Sequence, residues 1–527
     1  MNYAGTLSAK NTPQTEPMLG SNQVENNAGG FTFAVDMWTR LDRFLILGAE
    51  GGSYYVGEKA LVKENAFYVI EAIQTDGVRV VNRTVEISQA GRAPKNDPAI
   101  FVLALAATYG DAATKAAAYN GIHSVCRIGT HIFQFCEQIQ ALRGWSRGLR
   151  TGVGKFYTNR NADQIAFQAI KYRNRNGFTH RDVLRLAHPS GNKEQSAVFE
   201  YIVKRDASKP YEIPLNSVVA AFEAAQKATN SKDLVDLVRV ADLPWEAIPT
   251  EFLNDKDVWE ALLPSMGITA LLRNLGKMTK LGLFDGSRLN KNTTYVIKTL
   301  TDATIIEKSR LHPVTILIGM KTYAAGKGFK GSLVWTPQES IVDALDKAFY
   351  LAFKNVTPTG KRFLIGLDVS GSMSSPINGS NLTSREATTA LAMITAATES
   401  QYAIMAFSDT FVELPISPGQ RLDKIMKLTE RLPFQATDCS LPIEYAIENR
   451  LLVDVFMVFT DNETYTGKRH PVQALAEYRK KFNKNAKMIV LATAPNGFSI
   501  ADPNDSGMLD ISGFDSSVPA IIAEFVR

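Results

Sequence analysis

Residues 363–375, FLIGLDVSGSMSS, constrain the fold of this chain more tightly than any other stretch. Five apolar or small residues run straight into Asp368, and Ser370 and Ser372 follow at strict alternation. Such a run reads as a buried strand. The Asp-x-Ser-x-Ser after it sets three oxygen side chains in one turn at the carboxyl edge of a sheet. In open α/β sheets that edge is where ligands bind, and an oxygen-only set suits a hard cation such as Mg²⁺. The competing reading is a strand-to-helix turn in which Asp and Ser satisfy free backbone N–H groups.

Two later stretches extend the pattern. Residues 454–460, DVFMVFT, form a second buried-strand run that ends in Asp461, again at a carboxyl end. Between the two strands, Gln435-Ala436-Thr437-Asp438 offers a hydroxyl in a loop ahead of a helix starting near Leu441. Thr437 and Asp461 also have plain readings as helix-capping residues. Taken in order, Asp368, Ser370, Ser372, Thr437 and Asp461 resemble the metal-ion-dependent adhesion site of von Willebrand factor A domains. The resemblance implies that these five residues bind a divalent cation, Mg²⁺ being the natural fit.

Around these strands the pattern alternates: strands at 363–369, 402–407, 454–460 and 488–493, and helices at 384–400, 421–432, 441–449, 471–482 and 517–526. Alternation of this kind builds a doubly wound sheet. Upstream the pattern differs. From about 59 to 355 apolar residues recur at three and four, giving helices such as 98–109, 130–142, 162–172, 217–228, 258–275 (broken near Pro264) and 339–354. So many consecutive helices point to an α-solenoid rather than one compact bundle, with no clean sequence repeat. Thr357-Pro358-Thr359-Gly360 is a natural linker between the two parts. The expected division is a polar arm over 1–30, a helical domain over 31–357 and a Rossmann-like domain over 361–527. The glycines that follow Phe44-Leu45-Ile46-Leu47 lack a Gly-Lys-Ser/Thr, which rejects a phosphate loop.

Charge is unevenly spread. The net +5 hides a segment, 121–190, with 11 basic against 3 acidic residues, while residues 361–527 carry 16 basic against 19 acidic. A concentrated basic stretch beside a neutral remainder is the footprint of a polyanion site, a solvated helical face being the alternative. Lys171 and Arg175 are four apart at the end of one helix and share a face. After the Asn176-Gly177 turn, a new helix carries Arg181, Arg185 and His188 opposite Val183 and Leu184. Two such faces suit phosphates, with the long side chains as point contacts and forks. Arg143, Arg147, Arg150 and Lys155 form a second basic group in a Gly-rich connection and helix, and Arg127 and His131 extend the candidate set. Tyr172, Phe178, Trp145 and Tyr157 are positioned to stack on bases or to pack helix joints.

Three cysteines, Cys126, Cys136 and Cys439, show neither metal-ligand pairing nor a disulfide framework, which suits a reducing compartment. No apolar run is long enough to span a bilayer, and the N-terminus lacks a basic start and apolar core. The expectation is a cytoplasmic protein with no membrane association.

An ordered series of motifs resembles the Ro ribonucleoprotein family, the TROVE-domain autoantigens, in its bacterial form. The series is PQTEP at 13–17, NNAGGF at 26–31, RFLILGAEGGSYY at 43–55, RIGTHIF at 127–133, NRNGFTHRDVLRLAH at 174–188, TALLRNLGKMT at 269–279, DVSGSM at 368–373 and TDCSLP at 437–442. The resemblance implies a ring of HEAT-like helical repeats closed by the A domain. It implies that the outer surface binds small structured Y-type RNA, with Lys171, Arg175 and His188 among the contacts. It further implies a central hole that takes single-stranded 3′ ends of misfolded or decaying RNA. A 3′ exoribonuclease partner, polynucleotide phosphorylase, is implied for bacterial relatives. The segment 243–250, LPWEAIPT, matches no family motif.

Three function classes follow. The first is a non-catalytic RNA-binding scaffold, with phosphate contacts supplying most of the affinity. The second is a metal-dependent adaptor in which a carboxylate of an acidic protein ligand completes the cation's shell. The third is a Mg²⁺-dependent nuclease or phosphatase, disfavoured because phosphoryl chemistry on two metals needs several clustered carboxylates and here only Asp368 and Asp461 converge.

Overall fold

The computed structural model describes residues 11–48, 61–63, 66–175, 177–204, 216–286, 290–329, 331–353, 356–377, 380–430, 432 and 436–527. Asn176, Gln435 and the glycine-rich segment after Gly48 lie outside the described residues.

Helices dominate up to residue 351. Several begin with the cap that their sequence provides: Asp36 ahead of Met37–Leu47, Ser146 ahead of Arg147–Thr158, and capping boxes at Asn161 and Thr179 for Ala162–Lys171 and His180–Ala187. Each cap side chain accepts a bond from a backbone N–H that the first turn leaves unpaired. The expected break at Pro264 is present. Lys256–Leu262 passes into a 3₁₀ turn, Leu263–Ser265, before Ile268–Lys280 resumes.

The helices pack mainly on near neighbours in sequence. Phe67–Ala90 lies on Asp97–Tyr109 and Ala112–Val125; Ala162–Lys171 lies on Lys193–Lys204 and Ser217–Gln226; and Lys291–Thr301 and Pro313–Ala324 both lie on Glu339–Leu351. This is the quasi-one-dimensional stacking of a solenoid. A short hairpin interrupts it, β3 (Asn174–Arg175) against β4 (Phe178–Thr179). The segment 243–250 packs against Ala162–Lys171 and Ser217–Gln226. Trp245 stacks on Trp259 at 6.4 Å, and Glu246 O accepts a bond from Arg173 Nη2.

From Arg362 the chain forms a six-stranded sheet in the order β11-β9-β8-β5-β6-β7. The strands are β5 (Arg362–Asp368), β6 (Gln401–Phe407), β7 (Phe411–Glu413), β8 (Val455–Thr460), β9 (Lys487–Ala492) and β11 (Met508–Ser512). All pairs are parallel except β6–β7. Side chains alternate between faces, as the pleat requires. Ile365, Met457, Phe459, Ile489 and Leu491 enter one core cluster, while Leu364, Phe456, Val458, Met488 and Val490 enter another.

The first of these clusters is not confined to the sheet domain. It continues through Leu345, Phe349 and Leu317 into the helices from Phe222 onward. The first helices, from Leu41 to Val219, have a separate core. Their link to the sheet domain is largely polar: Arg43 donates to Phe498 O at 2.7 Å and pairs with Asp510, and Arg92 pairs with Asp515. Both ends of the helical array thus dock on the same domain, which closes the array on itself.

The arm is more ordered than its composition suggests. Two strands that the sequence does not announce, β1 (Gln23–Glu25) and β2 (Phe31–Ala34), form an antiparallel sheet with β10 (Phe498–Ser499). Met18 and Phe33 are buried in the core on the sheet domain's far face.

Candidate functional site

Two regions carry the candidate residues. The first is the carboxyl edge of the central strands. Asp368 ends β5 fully buried; its Oδ1 accepts from Ser370 N at 2.9 Å and its Oδ2 from Thr460 Oγ1 at 2.7 Å. The Ser370 and Ser372 hydroxyls lie 3.1 Å apart. Asp461 follows β8, and its Oδ1 accepts from Glu463 N at 3.2 Å. The buried Arg385 Nη2 donates to both the Val369 and Ser370 carbonyls behind the turn.

Electrostatics at this edge are unfavourable as they stand. Burial raises the pKa of Asp368, offset in part by bonds from Ser370 and Thr460 and by Arg385. Burial and the neighbouring carboxylates of Asp368 and Glu463 push Asp461 up to about 8. Glu463 rises to about 6, chiefly by burial. Asp461 Oδ2 and Thr437 Oγ1 are buried with no hydrogen-bond partner. Orphaned buried oxygens are rare and ask for an explanation, and a cation among them answers both the missing bonds and the excess of carboxylates. The residue set fits a hard cation. No trio of His, Cys, Asp or Glu gathers into a metal-binding group among the described residues, so the edge would offer two carboxylates and three hydroxyls. Bonds and charge coupling tie Asp368, Ser370, Ser372 and Asp461 together. Thr437 is brought to the same edge by its neighbour, since Asp438 N donates to Ser408 O just beyond β6.

The second region is the basic surface on the first half of the helical array. Lys171 ends its helix over the rings of Phe167 and Tyr172, at 5.4 and 5.7 Å. The helix stops at Lys171, so Arg175 does not share a helix face with it as its spacing suggests; Arg175 is exposed on β3, and Arg185 and His188 are exposed on the next helix and at its end. His188 caps that helix in the left-handed conformation, φ 46°, and its N–H donates to Leu184 O. Val183 and Leu184 face inward, opposite the charges. The second basic group adjoins the first: Arg147–Thr158 packs on His180–Ala187, and a Cβ on Gly154 would lie 3.5 Å from Pro189. Arg147 and Arg150 are exposed there.

Other candidates are engaged within the fold. Arg181 Nε donates to Val203 O at 2.8 Å. Arg143 donates to Ala107 O, and Lys155 to Asn120 Oδ1. Arg127, half-buried, donates to Ser88 O and Oγ, while burial and Arg127 push His131 down to about 4. Phe178 and Tyr157 are buried in helix joints. Tyr157 bonds His180 Nδ1 at 2.8 Å, and His180 lies edge-on to Phe133 at 4.7 Å.

Comparison with known proteins places this arrangement. The TROVE domain model matches residues 24–244 and 239–322, and the Ro60 vWA domain model matches 362–526. The chain belongs to the Ro family of TROVE-domain proteins. It is 37% identical to "RNA-binding protein RO60" of Deinococcus radiodurans, over all of this chain and 99% of that one. It is 36% identical to the protein of the same name in Caenorhabditis elegans, over 98% of this chain and 92% of that one. The crystal structure of the Deinococcus radiodurans RO (RSR) protein superposes with a TM-score of 0.70, covering 93% of this chain and 99% of that chain.

Sequence reasoning overlooked several residues of this Ro-family edge. Thr460 and Arg385 read as ordinary strand and helix residues, and only the fold turns them toward Asp368. Glu463 reads as a surface acid but is buried. Gln14, Asn26 and Asn27 lie more than 400 residues away in sequence and reach the same edge. No helix among the described residues is long and apolar enough to cross a membrane.

Proposed function

We propose that this protein is a non-catalytic RNA-binding scaffold of ribonucleoprotein particles. Its basic surface takes small structured RNA of the Y type. The closed helical array takes single-stranded 3′ ends of misfolded or decaying RNA, in RNA quality control or degradation in the cytoplasm. The observation that carries the reading is a run of cations on adjoining elements of one surface, exposed at Arg147, Arg150, Arg175 and Arg185 and half-buried at Lys171. That density of charge suits phosphates, which supply most of the affinity in such complexes. Support also comes from relatives named RNA-binding protein, which this chain matches over 92% and 99% of their length. A 3′ exoribonuclease, polynucleotide phosphorylase, is the partner that fits this role.

Competition between linear and circularised single strands tests the threading part. Linear RNA with a free 3′ end is expected to bind and circles of the same sequence are not. Equal binding would remove threading. Incubating labelled RNA with the protein and Mg²⁺ tests the non-catalytic part, since a shift without cleavage is expected.

A second reading concerns the sheet edge and coexists with the first. The orphaned oxygens of Thr437 and Asp461 favour a divalent cation, Mg²⁺, held by Asp368, Ser370, Ser372, Thr437 and Asp461. The bound cation would supply a Lewis-acid position for the carboxylate of an acidic protein ligand. Around it, Asp368 holds the turn through Ser370 N, and Arg385 pins the carbonyls behind it. Magnesium-dependent thermal stabilisation of the wild type, absent at equal ionic strength of Na⁺, is the expected result.

A further inference from the structure

The cation edge is built from three separate segments: the turn 368–372, the loop around Thr437 and the loop 461–467. Strand pairing fixes the strands that precede these segments, and the two loops meet directly where Tyr465 N and the Thr466 hydroxyl donate to Thr437 O and Cys439 N donates to the Thr464 hydroxyl. The N-terminal arm adds a second bridge between the same two loops.

Gln14 is fully buried between the two loops. Its Nε2 donates to Asp438 Oδ1 at 2.8 Å, next to Thr437, and to Arg469 O at 2.9 Å. Its Oε1 accepts from the Thr464 hydroxyl and from Gly467 N. Its backbone N–H donates to Gly467 O, and its backbone carbonyl accepts from Phe31 N. Asn26, also buried, donates to Thr464 O at 2.8 Å, while its Oδ1 accepts from Gly30 N and Ala28 N. That closes a turn which aims Asn27 Nδ2 at Glu463 Oε1, 2.6 Å away, and Ala28 N at Glu463 Oε2. The arm therefore holds the carboxylate that neighbours Asp461.

The approach is close enough to exclude side chains at two crossings. A Cβ on Gly30 would strike Thr464 O, and one on Gly467 would strike the Gln14 amide and the Asp438 carboxylate. A segment that fits backbone to backbone and satisfies every polar atom of a buried glutamine is a fitted part, not a draped tail.

We propose that the arm is a latch on the cation edge, with Gln14, Asn26 and Asn27 as positioning residues, so that arm docking and cation binding reinforce each other. This rests on the reading of the edge as a cation site. The physical argument is preorganisation: outer-sphere partners that orient ligands govern metal affinity by about 10–100-fold. Coupling between two binding events is reciprocal, so the cation must tighten the arm by the factor by which the arm tightens the cation.

The test uses the full chain and two readouts. Mn²⁺ titration gives cation affinity for the wild type, Gln14→Ala and Asn27→Ala. Hydrogen exchange with and without Mg²⁺ reports arm docking at the Gln14, Ala28 and Phe31 amides. The expected results are cation binding weakened about tenfold in Gln14→Ala and a few-fold in Asn27→Ala, with Mg²⁺ slowing arm exchange in the wild type but not in Asp368→Ala. Asn27 is exposed, so Asn27→Ala keeps the test decisive if Gln14→Ala does not fold. A wild type that binds Mn²⁺, with Asn27→Ala unchanged in affinity and arm exchange indifferent to Mg²⁺, overturns the latch alone. A wild type that binds no divalent cation overturns the cation reading and the latch together.

Discussion

The sheet edge and the basic surface are both polar sites, but they are made in opposite ways. The edge gathers buried groups from segments far apart in sequence, and two of its oxygens lack partners. The surface displays exposed charges drawn from one stretch of about seventy residues, and it asks little of the fold beyond presenting one face. At the edge, function depends on positions held to fractions of an ångström, so single changes should act all-or-none. On the surface, function depends on charge density, so changes should act in small, roughly additive steps.

The largest effect is expected at the edge. Asp368→Ala should abolish Mg²⁺-dependent stabilisation while RNA affinity stays within about twofold, because the basic surface lies in the other domain. Thermal melts with and without Mg²⁺, alongside an RNA titration, check this. A folded variant that loses most of its RNA binding would break the separation of the two sites.

Acid should come next, and it attacks buried histidines in the helical array rather than the surface charges. Burial lowers His180 to about 3, and His131 and His312 to about 4. All three are neutral in the fold, and the unfolded chain takes up their protons first. Their contribution is fully present above the ordinary histidine pKa of about 6.5 and is lost as pH falls toward 4. At pH 5 the loss is about 2 kcal/mol for each. Urea unfolding at pH 7 and pH 5 reads it, and His180→Phe should flatten the dependence by one histidine's share. An equal slope in that variant would mean that His180 is not buried as a neutral group.

Lys171→Ala with Arg175→Ala should weaken binding of structured RNA and lower the salt slope by about two units, with folding unchanged within about 0.5 kcal/mol. Unchanged affinity and slope would make this stretch a solvated face and move the site toward Arg147 and Arg150. The smallest effect is expected at His188. Its left-handed backbone makes His188→Gly the informative change, since glycine adopts that conformation freely. Weaker RNA binding is expected with a slope change below one unit.

Much of this was legible in the sequence. FLIGLDVSGSMSS read as a buried strand with an oxygen-rich turn, and β5 ends at Asp368 with Ser370 and Ser372 behind it. The break at Pro264 was equally plain, as was a new helix after the Asn176-Gly177 turn, which Thr179 caps in the structure. These features rest on short-range physics: the period of apolar residues, the missing N–H of proline, and a hydroxyl three residues from an acid.

The tertiary structure decided the rest. The edge strands β7 and β11 are short, and no sequence period distinguishes them from loop. Arg181 reads as one more surface charge, yet the end of a neighbouring helix claims it. The core that runs from the sheet into the later helices, and the polar seam that joins the first helices to the same domain, are invisible to local pattern. Gln14 shows why. Nothing within ten residues of it calls for a buried amide, and all of its side-chain partners lie beyond residue 437. The sequence alone determined which groups were available and which local shapes they favoured; which of them meet was decided by chain closure across hundreds of residues, where burial and hydrogen-bond satisfaction act only once the fold is complete.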